Sequence, residues 1–253
     1  MKPISWYKSL AFPKNRREHG CFIIEGKRAV DQILTFHIDS IEELLHTDDT
    51  APPSTAKPIK IRAISAVNMK SICASRTPQG IAAVVRIPPD TYTSKIPEQP
   101  LLGSRVLLLE HVQDPGNVGT LIRTAAAFGV NGVILSDQCA DPFSPKAVQS
   151  TAGSVLSVWI RKTAEYLPLA SGLKNRGYKL LAADLAGSES GDFKNLGPHI
   201  LALGSEGAGL SGGLLEMCDY RMRIPIAESG AESLNVAVSG AVCMFILREC
   251  CHP

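Results

Sequence analysis

A membrane span is the first thing the sequence lacks. The longest uncharged run in its C-terminal part, Ser233–Leu247, holds 15 residues, short of the ~20 apolar residues a helix needs to cross a bilayer. Met1–Tyr7 shows no apolar core ahead of a small-residue cleavage site, so no signal peptide is expected. C-x-x-C spacing is missing as well. The seven cysteines, at 21, 73, 139, 218, 243, 250 and 251, are odd in number and scattered. That argues against a secreted disulfide scaffold and against a zinc site. The six histidines show neither H-x-x-x-H nor H-E-x-x-H spacing, so no metal is expected. Internal repeats and low-complexity tracts are also absent. These absences leave a globular protein with no membrane partner, and a reducing cytoplasm is its expected setting.

What is present is an ordinary globular composition, 45% hydrophobic and 20% charged over 253 residues. That is room for one large domain or two small ones. The net charge of +2 says less than its distribution. Residues 1–103 carry 14 Lys/Arg and 10 Asp/Glu, whereas residues 104–253 carry 12 and 14. Within 1–30, seven bases (Lys2, Lys8, Lys14, Arg16, Arg17, Lys27, Arg28) outnumber Glu18 and Glu25; residues 31–50 then hold six acids and no base. A basic opening of this kind suits a polyphosphate backbone. By charge alone, a solvated surface beside an acidic one is the more ordinary reading.

Pro88, Pro89, Pro97 and Pro100 fall within thirteen residues. They mark 89–103 as an extended linker between a first domain, 1–88, and a second, 104–253. The first reads as a small α/β domain. Its strands are expected at Cys21–Glu25, Ile59–Ile64 and Ile81–Ile87, and its helices at Lys27–Phe36 and Ala66–Ser75. The second alternates strand and helix patterns. Strands are expected at Arg105–Glu110, Gly132–Leu135, Val155–Ile160, Tyr178–Asp184, Ile200–Leu203 and Arg221–Ile224. Helices are expected at Val118–Phe128, Pro145–Ala152, Ala164–Asn175, Leu210–Met217 and Leu234–Arg248. Continuous apolar strands alternating with helices predict an α/β fold with a parallel sheet covered on both faces.

In such sheets ligands bind beyond the carboxyl ends of the strands, and three segments fall there. His111–Arg123 contains the turn signal Asp114-Pro115-Gly116, with Asn117 as the expected N-cap of the next helix. Arg123 follows among Leu121, Ile122, Ala125 and Ala126, company in which an arginine wants an anionic or carbonyl partner. Leu203–Ser211 puts three glycines around Glu206, a backbone-lined pocket. Its order, G-x-x-G-x-G, is wrong for a dinucleotide fingerprint, which weighs against a nicotinamide-dependent oxidoreductase. Ile224–Asn235 ends a strand, loops, and offers Ser233 or Asn235 as cap for the last helix, where free amides suit a polar ligand.

Together the three segments resemble the SpoU (TrmH-like) family of RNA ribose methyltransferases, within the SPOUT superfamily. The first motif is Asp114-Pro115-Gly116-Asn117-Val118-Gly119 with Arg123, Thr124, Ala125 and Phe128-Gly129. The second is Leu203-Gly204-Ser205-Glu206-Gly207-Ala208-Gly209-Leu210-Ser211. The third is Ile224-Pro225-Ile226 with Ser233-Leu234-Asn235-Val236. Ser144-Pro145-Lys146 and Gly153 lie between them, and the likeness covers roughly residues 104–250. Arg16–Phe22 and Glu25-Gly26-Lys27-Arg28 more weakly resemble the family's substrate-binding domain.

The resemblance implies methyl transfer from S-adenosylmethionine to a ribose 2′-oxygen in RNA. Ribosomal RNA is the first choice and transfer RNA the second; a non-catalytic RNA-binding protein on the same fold is a further alternative. It also implies a deep trefoil knot in the C-terminal parallel-sheet domain, a small N-terminal α/β substrate-binding domain, and a homodimer with the active site near the subunit interface. By the same resemblance Arg123 clamps phosphate and ribose. An arginine pKa above ~12 makes a general-base role awkward. Asn117 shapes the loop and contacts ribose or Arg123, Glu206 orients Arg123 or a substrate hydroxyl, and Ser233 and Asn235 contact substrate or steady the loop. The cofactor is expected at Leu203, Gly204, Glu206, Gly207, Ile224 and Leu234. Two departures from the family pattern stand out. The Pro225–Ser233 loop is about one residue longer and carries Glu228 and Glu232. Ala237 stands where a serine is frequent.

Overall fold

The computed structural model describes residues 2–188, 193, 196–227 and 232–249. The chain divides into two compact units, Met1–Pro89 with Asp141–Leu156, and Asp90–Ala140 with Ser157–Pro253.

The first unit opens with α1 (Ile4–Ser9) and α2 (Pro13–His19). Next come β1 (Cys21–Glu25), α3 (Lys27–Phe36), β2 (Ile41–His46), β3 (Ile61–Ala63), α4 (Ala66–Ile72) and β4 (Ile81–Arg86). The strand order is β1-β4-β2-β3, with β4 antiparallel to both neighbours and β3 parallel to β2. As a central strand, β4 is buried from Ile81 to Val85. Its core gathers Tyr7, Leu10, Leu45, Met69 and Val84. α2 begins on Pro13 and stops at Gly20, whose φ of +63° only glycine adopts freely. Arg16, inside that helix, is 1% exposed. Its Nη1 donates to the carbonyls of Leu10 and Ala11 at 2.9 and 2.8 Å, and its Nη2 to Asp141 Oδ2 at 2.5 Å. Arg16 is therefore not part of a basic face, although the other six bases of residues 1–30 are exposed.

The second unit is built on β5 (Arg105–Leu109), α5 (Pro115–Ala127) and β6 (Gly132–Ser136). Next in the chain is α6 (Pro145–Thr151), which belongs to the first unit. The second unit resumes with β7 (Trp159–Thr163), α7 (Tyr166–Asn175), β8 (Lys179–Ser188), β9 (His199–Leu203), α8 (Gly212–Met217), β10 (Tyr220–Met222) and α9 (Val236–Glu249). Its six strands run parallel in the order β10-β8-β9-β5-β6-β7. This is the expected α/β architecture with a parallel sheet. Every residue of β6 and β9 is buried, as strands covered on both faces require. Val106, Leu108, Ile134 and Ala202 meet Leu169 and Leu173 of α7 and Leu214 of α8. Strand alternation turns Leu203 to the opposite face. There a Cβ on Gly240 would meet Leu121 at 2.4 Å and Leu203 at 2.7 Å, so glycine lets α9 lie against α5 and β9.

The structure departs from expectation in three ways. The proline-rich stretch is not a free linker: from Asp90 onward it straps the second unit. Leu102 is buried and Ile96 packs on the same core, while Trp159 Nε1 donates to the Leu102 carbonyl at 3.1 Å and Arg161 Nε to that of Lys95 at 2.8 Å. The run Val155–Ile160 is not one strand. Ser154–Leu156 forms a 3-10 turn in the first unit, with Val155 fully buried, and β7 starts only at Trp159. One apolar run thus serves two cores. Finally, α1, α2 and β2 were not expected. The helices are six and seven residues long, and β2 hides in the acidic run, where Ile41, Leu44 and Leu45 are its buried positions.

Candidate active site

β8, β9 and β5 lie side by side in the second unit, with β10 beyond β8. The three segments singled out in the sequence leave the carboxyl ends of β5, β9 and β10, where parallel sheets bind ligands.

The first segment folds around Asp114. Its Oδ1 accepts from the Asn117 amide at 3.0 Å, and Pro115 occupies the first helical turn. The helix therefore starts three residues earlier than expected, and Asp114 rather than Asn117 is its N-cap. Proline explains the shift, since its fixed φ and missing N–H suit a first turn. The Asn117 side chain is thereby freed, and its Nδ2 donates to Glu206 Oε1 at 3.0 Å. Asn235 Nδ2 donates to the same oxygen at 2.6 Å and to Asn117 Oδ1 at 3.2 Å. The Val236 amide reaches Glu206 Oε1 at 3.4 Å. Of the two residues offered as cap for the last helix, Asn235 takes the role, its Oδ1 accepting from Ala237 and Val238 at 2.9 and 3.4 Å.

Beside this network opens a cavity of about 400 Å³, and Leu203, Gly204, Glu206, Gly207, Ile224, Ser233 and Leu234 all line it. The second segment curls into a tight loop in which Ser205 and Gly209 exchange backbone hydrogen bonds of 3.2 and 2.9 Å. A Cβ on Gly204 would sit 2.2 Å from the Gly209 carbonyl, so the glycines make the close backbone crossing possible.

Arg123 is not drawn into this arrangement. It is exposed, it does not line the cavity, and no hydrogen bond or ion pair joins it to a described residue. Its neighbours Leu121 and Ile122 are buried, while Arg123 faces outward from the same helix. Glu206 meets Asn117 and Asn235 and not Arg123. Ser233 is at the cavity wall and exposed. Of the loop acids, Glu232 is exposed and Glu228 lies outside the described residues.

Sequence reasoning missed two features. Asp184 and Leu185, in β8, also line the cavity, as does Ser239 on α9. The strand-end rule applied to β8 points to the first pair, and the four-residue step from Asn235 to the third. The other feature is Glu110, fully buried at the end of β5. It accepts from Tyr166 Oη at 2.6 Å, from the Ser211 amide at 2.6 Å and from Ser211 Oγ at 2.7 Å. Burial, followed by the bond to Glu110 and its charge, pushes Tyr166 up to about 12. Among the described residues no three His, Cys, Asp or Glu side chains converge to hold a metal ion, and no helix is long and apolar enough to cross a membrane.

Comparison with known proteins bears on this same set of loops. The SpoU rRNA Methylase family model matches residues 104–245, and that of the MRM3-like substrate binding domain matches residues 4–83. The chain is 34% identical over 246 residues to the 23S rRNA (guanosine(2553)-2′-O)-methyltransferase RlmP of Bacillus subtilis, covering 96% of this chain and 94% of that protein. Among solved structures, a TrmH-family protein from Porphyromonas gingivalis is 31% identical with a TM-score of 0.82, covering 98% of this chain and 99% of its own. An rRNA methyltransferase from Sinorhizobium meliloti, solved with AdoMet bound, is 27% identical with a TM-score of 0.79 over 99% and 95%. The first match spans all three loops that meet at Glu206, and the chain belongs to the SpoU rRNA methylase family.

Proposed function

We propose that the chain transfers the methyl group of S-adenosylmethionine to a ribose 2′-hydroxyl of ribosomal RNA. One observation carries this reading. A single carboxylate oxygen, Glu206 Oε1, gathers Asn117, Asn235 and the first amide of α9 beside a cavity of about 400 Å³. Three strand-end loops are thereby fixed at one place. The likeness to RlmP over nearly the whole of both chains points the same way.

The cavity fits the methyl donor. Its volume lies within the ~300–1,000 Å³ usual for small-molecule sites. Leu203, Ile224 and Leu234 offer apolar walls for an adenine ring. The close crossing at Gly204 brings backbone polar groups to the cavity. Leu203, Gly204, Gly207, Ile224 and Leu234 would hold the group, with Glu206 at the wall. S-adenosylmethionine, when bound, supplies an electrophilic methyl on a sulfonium.

The chain's own residues supply position. Glu206 holds the Asn117 and Asn235 amides against each other, so that they present a fixed polar edge to a ribose. Arg123 carries five N–H donors in a planar fork suited to phosphate. Because it is spoken for by no described residue, all of them are available to an incoming RNA. It acts as a clamp, not a base, since a guanidinium has N–H donors and no acceptor. Ser233 adds a hydroxyl at the cavity.

The same reading extends to assembly. The chain is read as a deep trefoil knot through 203–211 and 224–235. In support, β10 lies at a sheet edge, yet α9 returns to pack on β9 and α5. It is read as a homodimer, since Val238, Phe245 and Ile246 on α9 are exposed, apolar surface that a second copy would cover. Residues 1–88 are read as the RNA-holding domain, on the MRM3-like match and the exposed Lys2, Lys8, Lys14, Arg17, Lys27 and Arg28. A reducing cytoplasm suits the five described cysteines, all free.

The test is methyl transfer from labelled S-adenosylmethionine to separate pools of unmodified ribosomal and transfer RNA, followed by nucleoside digestion. A 2′-O-methyl nucleoside from the ribosomal pool is the expected result. Label only in the transfer RNA pool would move the substrate class. Absence of both label and donor binding would leave a non-catalytic RNA-binding protein.

A further inference from the structure

Glu110 touches the glycine-rich loop at both ends. At the entry, its backbone amide donates to the Leu203 carbonyl at 2.9 Å, the last rung between β5 and β9. At the exit, its carboxylate accepts from the Ser211 amide at 2.6 Å and from Ser211 Oγ at 2.7 Å. Ser211 Oγ in turn accepts from the Leu214 amide at 3.3 Å, capping α8. Tyr166 Oη, at the start of α7, makes the third bond to the carboxylate at 2.6 Å.

A fully buried carboxylate is costly unless its oxygens are well supplied with donors. Here three donors converge on it, and two of them belong to the residue that ends the loop. The loop has reason to need such a device. Gly204, Gly207 and Gly209 give Gly204–Leu210 more backbone freedom than side-chain-bearing residues would at those positions. Its internal bonds close Ser205 on Gly209 through the backbone, and the Ala208 amide on Ser205 Oγ at 3.2 Å. Toward the sheet the loop offers the packing of Leu210, while Glu206 bonds to Asn117, Asn235 and the Val236 amide on the neighbouring helices; neither holds the backbone at the loop's two ends.

We propose that Glu110 is a positioning residue that clamps both ends of the Gly204–Leu210 loop to β5 and so preforms the wall of the methyl-donor site. The identity of the ligand rests on the function proposed above; the clamp itself does not. Glu110 does not line the cavity and acts only through Leu203 and Ser211.

The test uses the full chain with Glu110→Ala, Glu110→Gln and Ser211→Ala. Hydrogen exchange is read first on ligand-free protein. Amides of Gly204–Leu210 are expected to exchange about tenfold faster in Glu110→Ala, with the centre of the sheet still protected. Calorimetric titration with S-adenosylmethionine is expected to show a Kd weaker by about tenfold, the loss of a charge-assisted hydrogen bond. The KM for the donor should rise in step while the KM for RNA stays within about twofold, a split that general destabilisation would not produce. Glu110→Gln keeps the size and an acceptor for the Ser211 amide, so it should recover most of the loss.

Unchanged loop exchange or an unchanged donor Kd in Glu110→Ala would overturn the clamp. So would a Gln variant as impaired as the Ala variant. If Glu110→Ala does not fold, Ser211→Ala decides: faster loop exchange supports the clamp and wild-type exchange overturns it. If the wild type binds no S-adenosylmethionine, the function proposed above fails, and the exchange comparison still decides the clamp.

Discussion

Two arginines, one in each unit, show how differently the same side chain is used. Arg16 sits in a seven-residue helix of the first unit, 1% exposed. Its donors are divided among two carbonyls and Asp141. Arg123 sits in a thirteen-residue helix of the second unit, exposed, with no bond to a described residue. Both fall in stretches whose residues resemble family motifs. Burial of a guanidinium demands that its donors be satisfied inside the protein, so Arg16 is committed to the fold. Exposure leaves Arg123's donors in water, available to a phosphate at little desolvation cost. The first unit thus buries Arg16 with Asp141, and the second leaves Arg123 at its surface.

The largest effect expected is at Arg16. Arg16→Ala takes the buried cation away from Asp141, which keeps the Phe143 amide, and removes the donor to the Leu10 and Ala11 carbonyls. Breaking a buried pair on one side costs about 3–5 kcal/mol, so urea unfolding of the variant should shift to a much lower midpoint. A wild-type midpoint would show that this arginine is not committed to the fold. Arg123→Ala should do the reverse. Methyl transfer should fall by roughly 10²–10³-fold, the loss typical of one preorganised donor. Donor binding and the unfolding midpoint should stay at wild-type values. Full activity in Arg123→Ala would remove it from the chemistry and erase the contrast.

Much of the second unit was legible in the sequence. Uninterrupted apolar runs such as V-L-L-L and I-L-A-L read directly as strands of a covered parallel sheet, because burial on both faces removes the need for polar alternation. The loops at their ends were legible as places, through the strand-end rule and their turn residues. The bonds inside them were not. That Glu206 would meet Asn235 and not Arg123 depends on the direction in which α5 leaves Asp114, and a proline at the first turn moved that start. Glu110 was invisible for a different reason. A lone acid ending an apolar strand looks like a surface residue, and only the fold brings Ser211, 101 residues away, over it. The first unit was less legible because short helices and a strand with two acids bury only one or two side chains per turn. Val155 showed the limit of reading runs alone, since a continuous apolar stretch can be shared by two cores.

A smaller effect sharpens the comparison within the active site. Asn117 and Asn235 share one acceptor, Glu206 Oε1, and touch each other at 3.2 Å. Alanine at each and at both should give non-additive losses in kcat/KM, with a coupling of about 0.5–3 kcal/mol. Asn235→Ala should also lower stability by about 1 kcal/mol, through the lost cap of α9, whereas Asn117→Ala should not, because Asp114 caps α5. Additive losses would mean that the three loops are positioned independently and that Glu206 does not unite them.

The smallest effect expected is a pH dependence from the buried, uncharged end of the same comparison. His199, at the start of β9, is buried. Burial pushes its pKa below the ordinary 6.5, a bond to the Gly197 carbonyl raises it in part, and the charge of Arg105 lowers it further. In the unfolded chain the imidazole takes up a proton near pH 6.5; in the folded chain it resists. Between the two values the unfolded state binds more protons, so stability rises with pH in that window. The contribution is complete above about pH 6.5 and is lost as the pH falls toward the depressed folded value. His37 in the first unit, also lowered by burial, adds a term of the same sign. Urea midpoints should therefore drop on going from pH 7 to pH 5, and by less in His199→Gln, which keeps an amide donor for Gly197 without a titrating ring. An equal drop in the variant would assign the acid sensitivity to other groups.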